Sequence, residues 1–288
     1  MATEHRAVLD PCAALARAGF EVTILPVRPD GLLDPDRVRD AFTGRTTLVS
    51  VMLANNEVGV LQPVAEIGAM AAERGALLHV DAAQALGRVD IDVRRDHIHL
   101  MSLSAHKCYG PKGVGALYVR RHDPLVRVEE QMHGGGHEHG RRSGTLNVPG
   151  IVGFGEACRI AVEELPTEAP RLAALRDHLL VLLRDGIDGV VVNGSLERRL
   201  PNNLNVSVPR VEGESLIMAM RDVAVSSGSA CSSADAAPSH VLAALGVPPE
   251  LAHASLRFGL GRTTTREEID YAARRVVETA TMLRARGL

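Results

Sequence analysis

The chain predicts an α/β fold with a largely parallel sheet, followed by a smaller α+β domain. Three observations carry this. Short β-branched runs alternate with amphipathic stretches of helical length through the first half. Helix-start and helix-stop residues punctuate those stretches. After a proline-marked break at Pro166 to Pro170 the pattern changes to long helices and short strands.

Taken in order, Arg6 to Arg17 has apolar residues at helical spacing and stops at Gly19, a C-terminal cap. Phe20 to Val27 alternates as a strand does. Asp34-Pro35 starts a helix, with Asp as N-cap and Pro in the first helical position. Thr46 to Met52 is a buried strand, Pro63 to Gly75 a helix, and Ala76 to Val80 a strand that stops at Asp81. Ile98 to Ser102 and Val114 to Val119 are two more strands. Ile151 to Leu165 and Pro170 to Leu183 are long helices on either side of the break. Gly189 to Val192 and Leu204 to Val208 are short strands, and Gly213 to Arg221 is a helix. The segment Val223 to Ser233 and a closing helix, Arg266 to Arg286, complete the chain. The boundary at the break gives domains of residues 1–165 and 166–288.

Composition narrows the class. At roughly 150 residues per domain, 288 residues suit two domains. Hydrophobic residues at 45% and charged residues at 23% exclude a disordered chain. There is no Trp, and only three Tyr and four Phe, so base stacking on aromatic side chains is not expected. A net charge of −3 argues against a broad nucleic-acid or membrane surface. No run is long and apolar enough to span a bilayer, and no signal peptide precedes the first helix. Cys12, Cys108, Cys158 and Cys231 lie far apart, without a C-x-x-C pair, which suits a reducing cytoplasm.

Several segments carry possible chemistry. Ser104-Ala105-His106-Lys107-Cys108-Tyr109-Gly110 follows a strand. A lysine held at a strand tip among small and polar residues suits imine formation, though a loop lysine is more often solvated surface. Asp81 ends an earlier strand, where it is either a helix cap or an acid facing a pyridinium nitrogen. In parallel sheets, ligands bind beyond such carboxyl ends. Asn55-Asn56-Glu57-Val58-Gly59 is either a turn or a carboxamide aimed at a cofactor oxygen. Gly228-Ser229-Ala230-Cys231-Ser232-Ser233 places a thiol among residues unable to bury it, which suits a mobile nucleophile. Cys12 and Cys158 sit on helix faces as core residues, and Cys108 adjoins the lysine. The run His133 to Gly140 is His-rich, but its four glycines make a poorly formed metal cage, so no metal is assigned. Arg141 to Thr145 suits a phosphate. Arg257, in an apolar stretch, needs a carboxylate partner from the protein or from a substrate.

The ordered set Thr3-Glu4-His5, Asn55 to Gly59, His79-Val80-Asp81-Ala82-Ala83-Gln84, Ser104-Ala105-His106-Lys107, Met132 to Glu138, Arg142 to Thr145 and Ser226-Ser227-Gly228-Ser229-Ala230-Cys231 resembles the cysteine desulfurases. These are pyridoxal-phosphate (PLP) enzymes of the class V aminotransferase family, and the Ser-Ser-Gly-Ser-Ala-Cys form resembles the NifS/IscS-like group. The resemblance implies the PLP-dependent transferase (aspartate aminotransferase-like) fold, with a seven-stranded-type sheet in the large domain.

It also implies roles. Lys107 would form an imine with the cofactor and act as acid and base. His5 would stack on the ring, Asp81 would pair with its nitrogen, and Gln84 would contact its phenolic oxygen. Ser104 and His106 would bind the phosphate, with Thr145 reaching it from a second subunit. Asn56 and Arg257 would hold the substrate carboxylate. Cys231 would take sulfur from L-cysteine as a persulfide, leaving L-alanine, for iron-sulfur cluster assembly or tRNA thiolation. A homodimer and a scaffold or other sulfur-acceptor partner follow. The alternatives are a related lyase acting on selenocysteine or cysteine sulfinate, and a catalytically impaired fragment or scaffold. Family members carry a further stretch before the Thr-Glu-His motif, including a phosphate-cradling Gly/Thr loop. Nothing here corresponds to it, so a start upstream of Met1 and a sheet incomplete at the N-terminal side are expected.

Overall fold

The computed structural model describes residues 1–227 and 239–287. They form two compact units, one of Met1–Ala41, Ala54–Pro63 and Pro166–Leu288, the other of Phe42–Leu53 and Val64–Leu165. Residues 1–41 and 54–63, expected in the first domain, thus group with the C-terminal residues.

The unit built on Phe42–Leu53 and Val64–Leu165 holds a four-stranded sheet of order β1-β2-β3-β4. Strands β1 (Leu48–Met52), β2 (Leu77–Asp81) and β3 (Leu100–Ser104) run parallel, and β4 (Gly115–Val119) is antiparallel. Each lies within a run anticipated from its β-branched or apolar residues, give or take two residues. Alternation sorts the side chains by face. Val51, Leu78, Val80 and Met101 are buried on one face. The other carries Ser50, His79, Asp81, Ser102 and Ser104. Helix α3 (Val64–Glu73) connects β1 to β2 and buries Val64, Ile67, Gly68, Met70 and Ala71, a helical stripe. Gly68 admits close approach, since a Cβ there would lie 2.3 Å from the Asp96 carbonyl oxygen. β1 and β4 are the sheet edges, and Leu48 and Leu117 on them are each 49% exposed.

The other unit holds a four-stranded antiparallel sheet of order β5-β6-β8-β7. Its strands are β5 (Val191–Val192), β6 (Asn203–Ser207), β7 (Ser226–Ser227) and β8 (Ser255–Gly259). The residues of β6 are all buried. Helix α9 (Arg266–Arg286) has the expected bounds. Thr265 and Glu268 form its capping box, and Gly287 at φ 72° closes it. Its Ile269, Ala273, Val276, Ala280 and Leu283 recur every three or four residues. They pack with Leu172, Leu179 and Leu183 and with Leu204, Val206, Leu256 and Phe258 in one core. Burying each large aliphatic side chain contributes about 1.5–3 kcal/mol. A second cluster joins Val58 and Val60 to Val241, Leu242 and Leu245. The remaining helices are α1 (Arg6–Arg17), α2 (Pro35–Ala41), α6 (Gly213–Ala219), α7 (His240–Ala244) and α8 (Pro249–His253). A short turn, α4 (His137–Gly140), falls in the glycine-rich loop.

Three local expectations are corrected. Phe20 to Val27 forms no strand, and Phe20 and Ile24 are exposed at 64% and 52%. The Leu25 carbonyl accepts from Ala2 N at 2.8 Å, but alternation with one such bond does not make a ladder. The two long helices are a single helix, α5 (Val148–Gly186). Pro166 and Pro170 lie four residues apart, so their missing N–H groups share one face and need not end it. Helix α1 has no buried residue, so Cys12 is half-buried rather than in a core.

Candidate active site

Because β2 and β3 are parallel neighbours, their carboxyl ends meet the same sheet edge. Asp81 ends β2 opposite Ser102, and Ser104 ends β3. Ser104 leads directly into a 3-10 turn, Ala105–Cys108, that displays His106 and Lys107 to solvent. The turn is drawn tight around one acceptor. The N–H groups of Tyr109 and Gly110 and the Cys108 thiol all donate to the Ala105 carbonyl oxygen. Tyr109 adopts φ 65° there, and Arg88 stacks over its ring at 5.1 Å. Asp81 Oδ1 accepts from Ala83 N at 2.9 Å, a cap-like contact, and Gln84 is half-buried just beyond it. So Asp81, Gln84, Ser104, His106 and Lys107 belong to one unit and one sheet edge.

Behind this edge lies a hydrogen-bonded row that was not singled out from sequence. His79 Nδ1 meets Ser50 Oγ at 2.8 Å and His79 Nε2 meets Ser102 Oγ at 2.9 Å. Burial pushes the imidazole below its ordinary range, and the charge of Asp81 offsets this in part. Burial thus favours the neutral form of His79. The signal was present in sequence: residues two apart in a strand share a face, as His79 and Asp81 do.

The other unit organises the Asn55–Gly59 turn. Asn55 Oδ1 accepts from Glu57 N and Val58 N at 2.8 and 2.9 Å, so for Asn55 the turn reading holds. Asn55 Nδ2 donates to the Thr3 carbonyl at 2.9 Å, and His240 Nε2 meets the Glu4 carbonyl at 3.0 Å. The first of these bonds ties the Thr3-Glu4-His5 motif to the turn, the second to α7. His5 itself is exposed, and its Nδ1 accepts from Ala7 N at 3.1 Å as the α1 cap. The Glu57 carbonyl accepts from Asn203 Nδ2 at 3.2 Å and Asn205 Nδ2 at 3.1 Å. Arg257 Nη1 donates to the Asn56 carbonyl at 2.8 Å, joining those two predicted residues. Gly59 sits at φ 72°, with Asn203 so close that a Cβ would lie 2.4 Å from its Oδ1. Only glycine suits both demands.

Glu57 was not selected from sequence. Its buried carboxylate accepts a hydrogen bond from Ser239 Oγ. Burial pushes the Glu57 carboxyl upward, opposed by the Ser239 bond and by the charges of His240 and Arg257. A carboxyl raised by burial, next in sequence to the candidate residue Asn56, is a physical pointer to function.

The glycine-rich loop is held by its own bonds. Ser143 Oγ meets Glu130 and Gly136 N, and His133 Nδ1 meets Glu130 Oε1 at 3.0 Å. Among the described residues no group of three or more potential metal ligands occurs. Thr145 is exposed in the same unit as Lys107. Cys231 lies outside the described residues.

The donor set at the β2–β3 edge suits a pyridoxal cofactor. A half-buried acid, an exposed lysine, a hydroxyl and an imidazole stand at the ends of adjacent parallel strands. These are the groups such a ring, aldehyde and phosphate need.

The aminotransferase class-V family model matches residues 1–272. The chain belongs to that family and, within it, to the cysteine desulfurases. A cysteine desulfurase IscS of Anaeromyxobacter sp. (strain Fw109-5) is 58% identical over 98% of this chain and 70% of its own length. One from Pseudomonas aeruginosa (strain UCBPP-PA14) is also 58% identical, over 98% of this chain and 69% of its own. A solved NifS-like protein is 36% identical with a TM-score of 0.89, covering 98% of this chain and 74% of that one. The fold is therefore that of the PLP-dependent transferases, with the sheet here four-stranded.

Proposed function

We propose that this protein is a cysteine desulfurase, converting L-cysteine to L-alanine while one of its own cysteines takes the sulfur as a persulfide. The observation that carries this reading is the likeness to the IscS enzymes, at 58% identity over 98% of the chain. A structure described as SspA in complex with cysteine, 36% identical with a TM-score of 0.75, supports the substrate.

The resemblance to the family suggests the role of each residue. Lys107, exposed at the β3 exit, would hold the cofactor and move the proton at the substrate α-carbon. Asp81 would keep the pyridine nitrogen protonated, with Gln84 at the phenolic oxygen. Ser104 and His106 would bind the phosphate, with Thr145 supplied by a second subunit of a homodimer. His5 would stack on the ring. Asn56 and Arg257 would hold the substrate carboxylate, the guanidinium already seated on the Asn56 carbonyl. When bound, pyridoxal phosphate supplies the electron sink for charge developing at the substrate carbon. The Cys231 thiolate would attack the substrate sulfur, the carbon–sulfur bond would break, and a proton returned to carbon would give alanine. The persulfide would then pass to an iron-sulfur scaffold or other sulfur acceptor, in the cytoplasm.

The test is direct. With reductant and L-cysteine, the cofactor-loaded wild type releases sulfide and alanine in equal amounts. Cys231→Ser should keep the cofactor absorbance and release no sulfide. Sulfide at the wild-type rate from that variant would overturn the role of Cys231.

A further inference from the structure

Cys108 and Cys158 lie in one apolar pocket, formed by Ala105, Phe154 and Ala157 with Leu86, Leu103 and Val114 around them. Cys108 is buried and Cys158 half-buried, and both are free thiols. They are not merely neighbours. The Cys108 thiol donates to the Ala105 carbonyl oxygen at 3.2 Å, and the Cys158 thiol is hydrogen-bonded to Cys108. With the Cys108 proton directed at Ala105, Cys158 is the donor between the two sulfurs. The two sulfurs thus sit side by side in the pocket.

The location gives the contact its consequence. Cys108 follows Lys107 in the 3-10 turn, and Cys158 is on α5. The Ala105 carbonyl is the acceptor around which that turn closes. We propose that Cys108 and Cys158 form an oxidative modification site, where a peroxide-class oxidant joins them as a disulfide that ties the Lys107 turn to α5. The chemistry balances with that oxidant. Hydrogen peroxide oxidises the more accessible Cys158 thiol to a sulfenic acid and releases one water. The Cys108 sulfur then attacks the Cys158 sulfur, the S–O bond breaks, and hydroxide leaves with the Cys108 proton as a second water. Two thiols are oxidised by two electrons and the peroxide is reduced. The product removes the sulfur donor from Ala105 and fixes Cys108 to a helix, so the residue before it shifts. Burial pushes the Cys158 thiol upward, so few thiolates are present at neutral pH and mild oxidants leave the pair reduced.

The functional consequence rests on the reading that Lys107 carries the cofactor. The experiment uses the full, cofactor-loaded chain bearing Cys12→Ser and Cys231→Ser, which leaves this pair as its only thiols. After millimolar peroxide, the free-thiol count should fall from two to zero, and a non-reducing peptide map should join the two cysteine peptides. Cofactor retained through gel filtration should fall, because the lysine that holds it is moved from its position. Dithiothreitol should restore it. Adding Cys158→Ala should leave the Lys107 turn unmodified and abolish both changes. Failure to link the two peptides, with the thiols intact or oxidised separately, overturns the site. A link with unchanged cofactor retention overturns its coupling to Lys107. Retention of the cofactor absorbance by Lys107→Ala would instead overturn the reading on which that coupling rests.

Discussion

Asn205 and Arg257 face each other across the β6–β8 ladder, and their side chains grip successive carbonyls of one turn. Asn205 holds the Glu57 carbonyl at 3.1 Å while Arg257 holds that of Asn56 at 2.8 Å. A single rung of the antiparallel sheet therefore sets the turn that carries Asn56. Asn205 is itself held, since its Oδ1 accepts from Asn193 Nδ2 at 2.8 Å.

Asn205 is fully buried, so Asn205→Ala takes one of two donors from the Glu57 carbonyl, which keeps Asn203, and one of two acceptors from the Asn193 amide, which keeps Ser207. The expected loss is about 1–3 kcal/mol of folding free energy. Urea denaturation should show it as a lower midpoint with an unchanged slope.

Arg257→Ala should raise the KM for L-cysteine about tenfold to a hundredfold, the value of a hydrogen bond to a charged group. Cofactor absorbance should be unchanged. Steady-state kinetics on the loaded enzyme decide it, and an unaltered KM would remove Arg257 from the substrate site.

Glu57 yields a pH prediction. Burial raises its pKa in the folded state above the ordinary carboxyl value, so the folded protein binds this proton more tightly than the unfolded chain. Its contribution to stability is then present below the unfolded value and lost as pH rises through the folded one. Glu57→Gln keeps an oxygen for Ser239 and carries no charge. It should melt a few degrees higher than wild type near neutral pH, with the difference vanishing in acid. Calorimetry across pH tests both statements.

Lys107→Ala should abolish the visible absorbance of the bound cofactor and lower sulfide release by about 10²–10⁴-fold. Asp81→Asn should keep the colour and lose rate, because a neutral amide does not hold the ring nitrogen protonated. Spectra and rates on the two variants separate attachment from electronic tuning.

The α9 cap is a purely structural control. Thr265→Ala removes the side-chain acceptor for Glu268 N, a bond of 3.2 Å, and should cost about 1 kcal/mol without altering KM.

Much of this was legible in local pattern. Helix α9 ends where its cap residues say it ends, and the strand runs before Asp81 and Lys107 are strands. Local pattern also misled. Phe20 to Val27 alternates without forming a strand, and two prolines do not divide α5. Strand β8, around Arg257, reads in sequence only as an apolar stretch.

The sequence by itself determined the fold class, the succession of strand runs along the chain and the placing of Asp81 and Lys107 at strand ends. Those follow from side-chain periodicity and capping, which act over a few residues. Only the tertiary structure decided the roles of Glu57, Asn205 and the Cys108–Cys158 pair. Glu57 meets Asn203, Asn205 and Ser239 at separations of 146, 148 and 182 residues. A buried polar group must find its partner wherever the folded chain brings one, and no local periodicity encodes which residue that is.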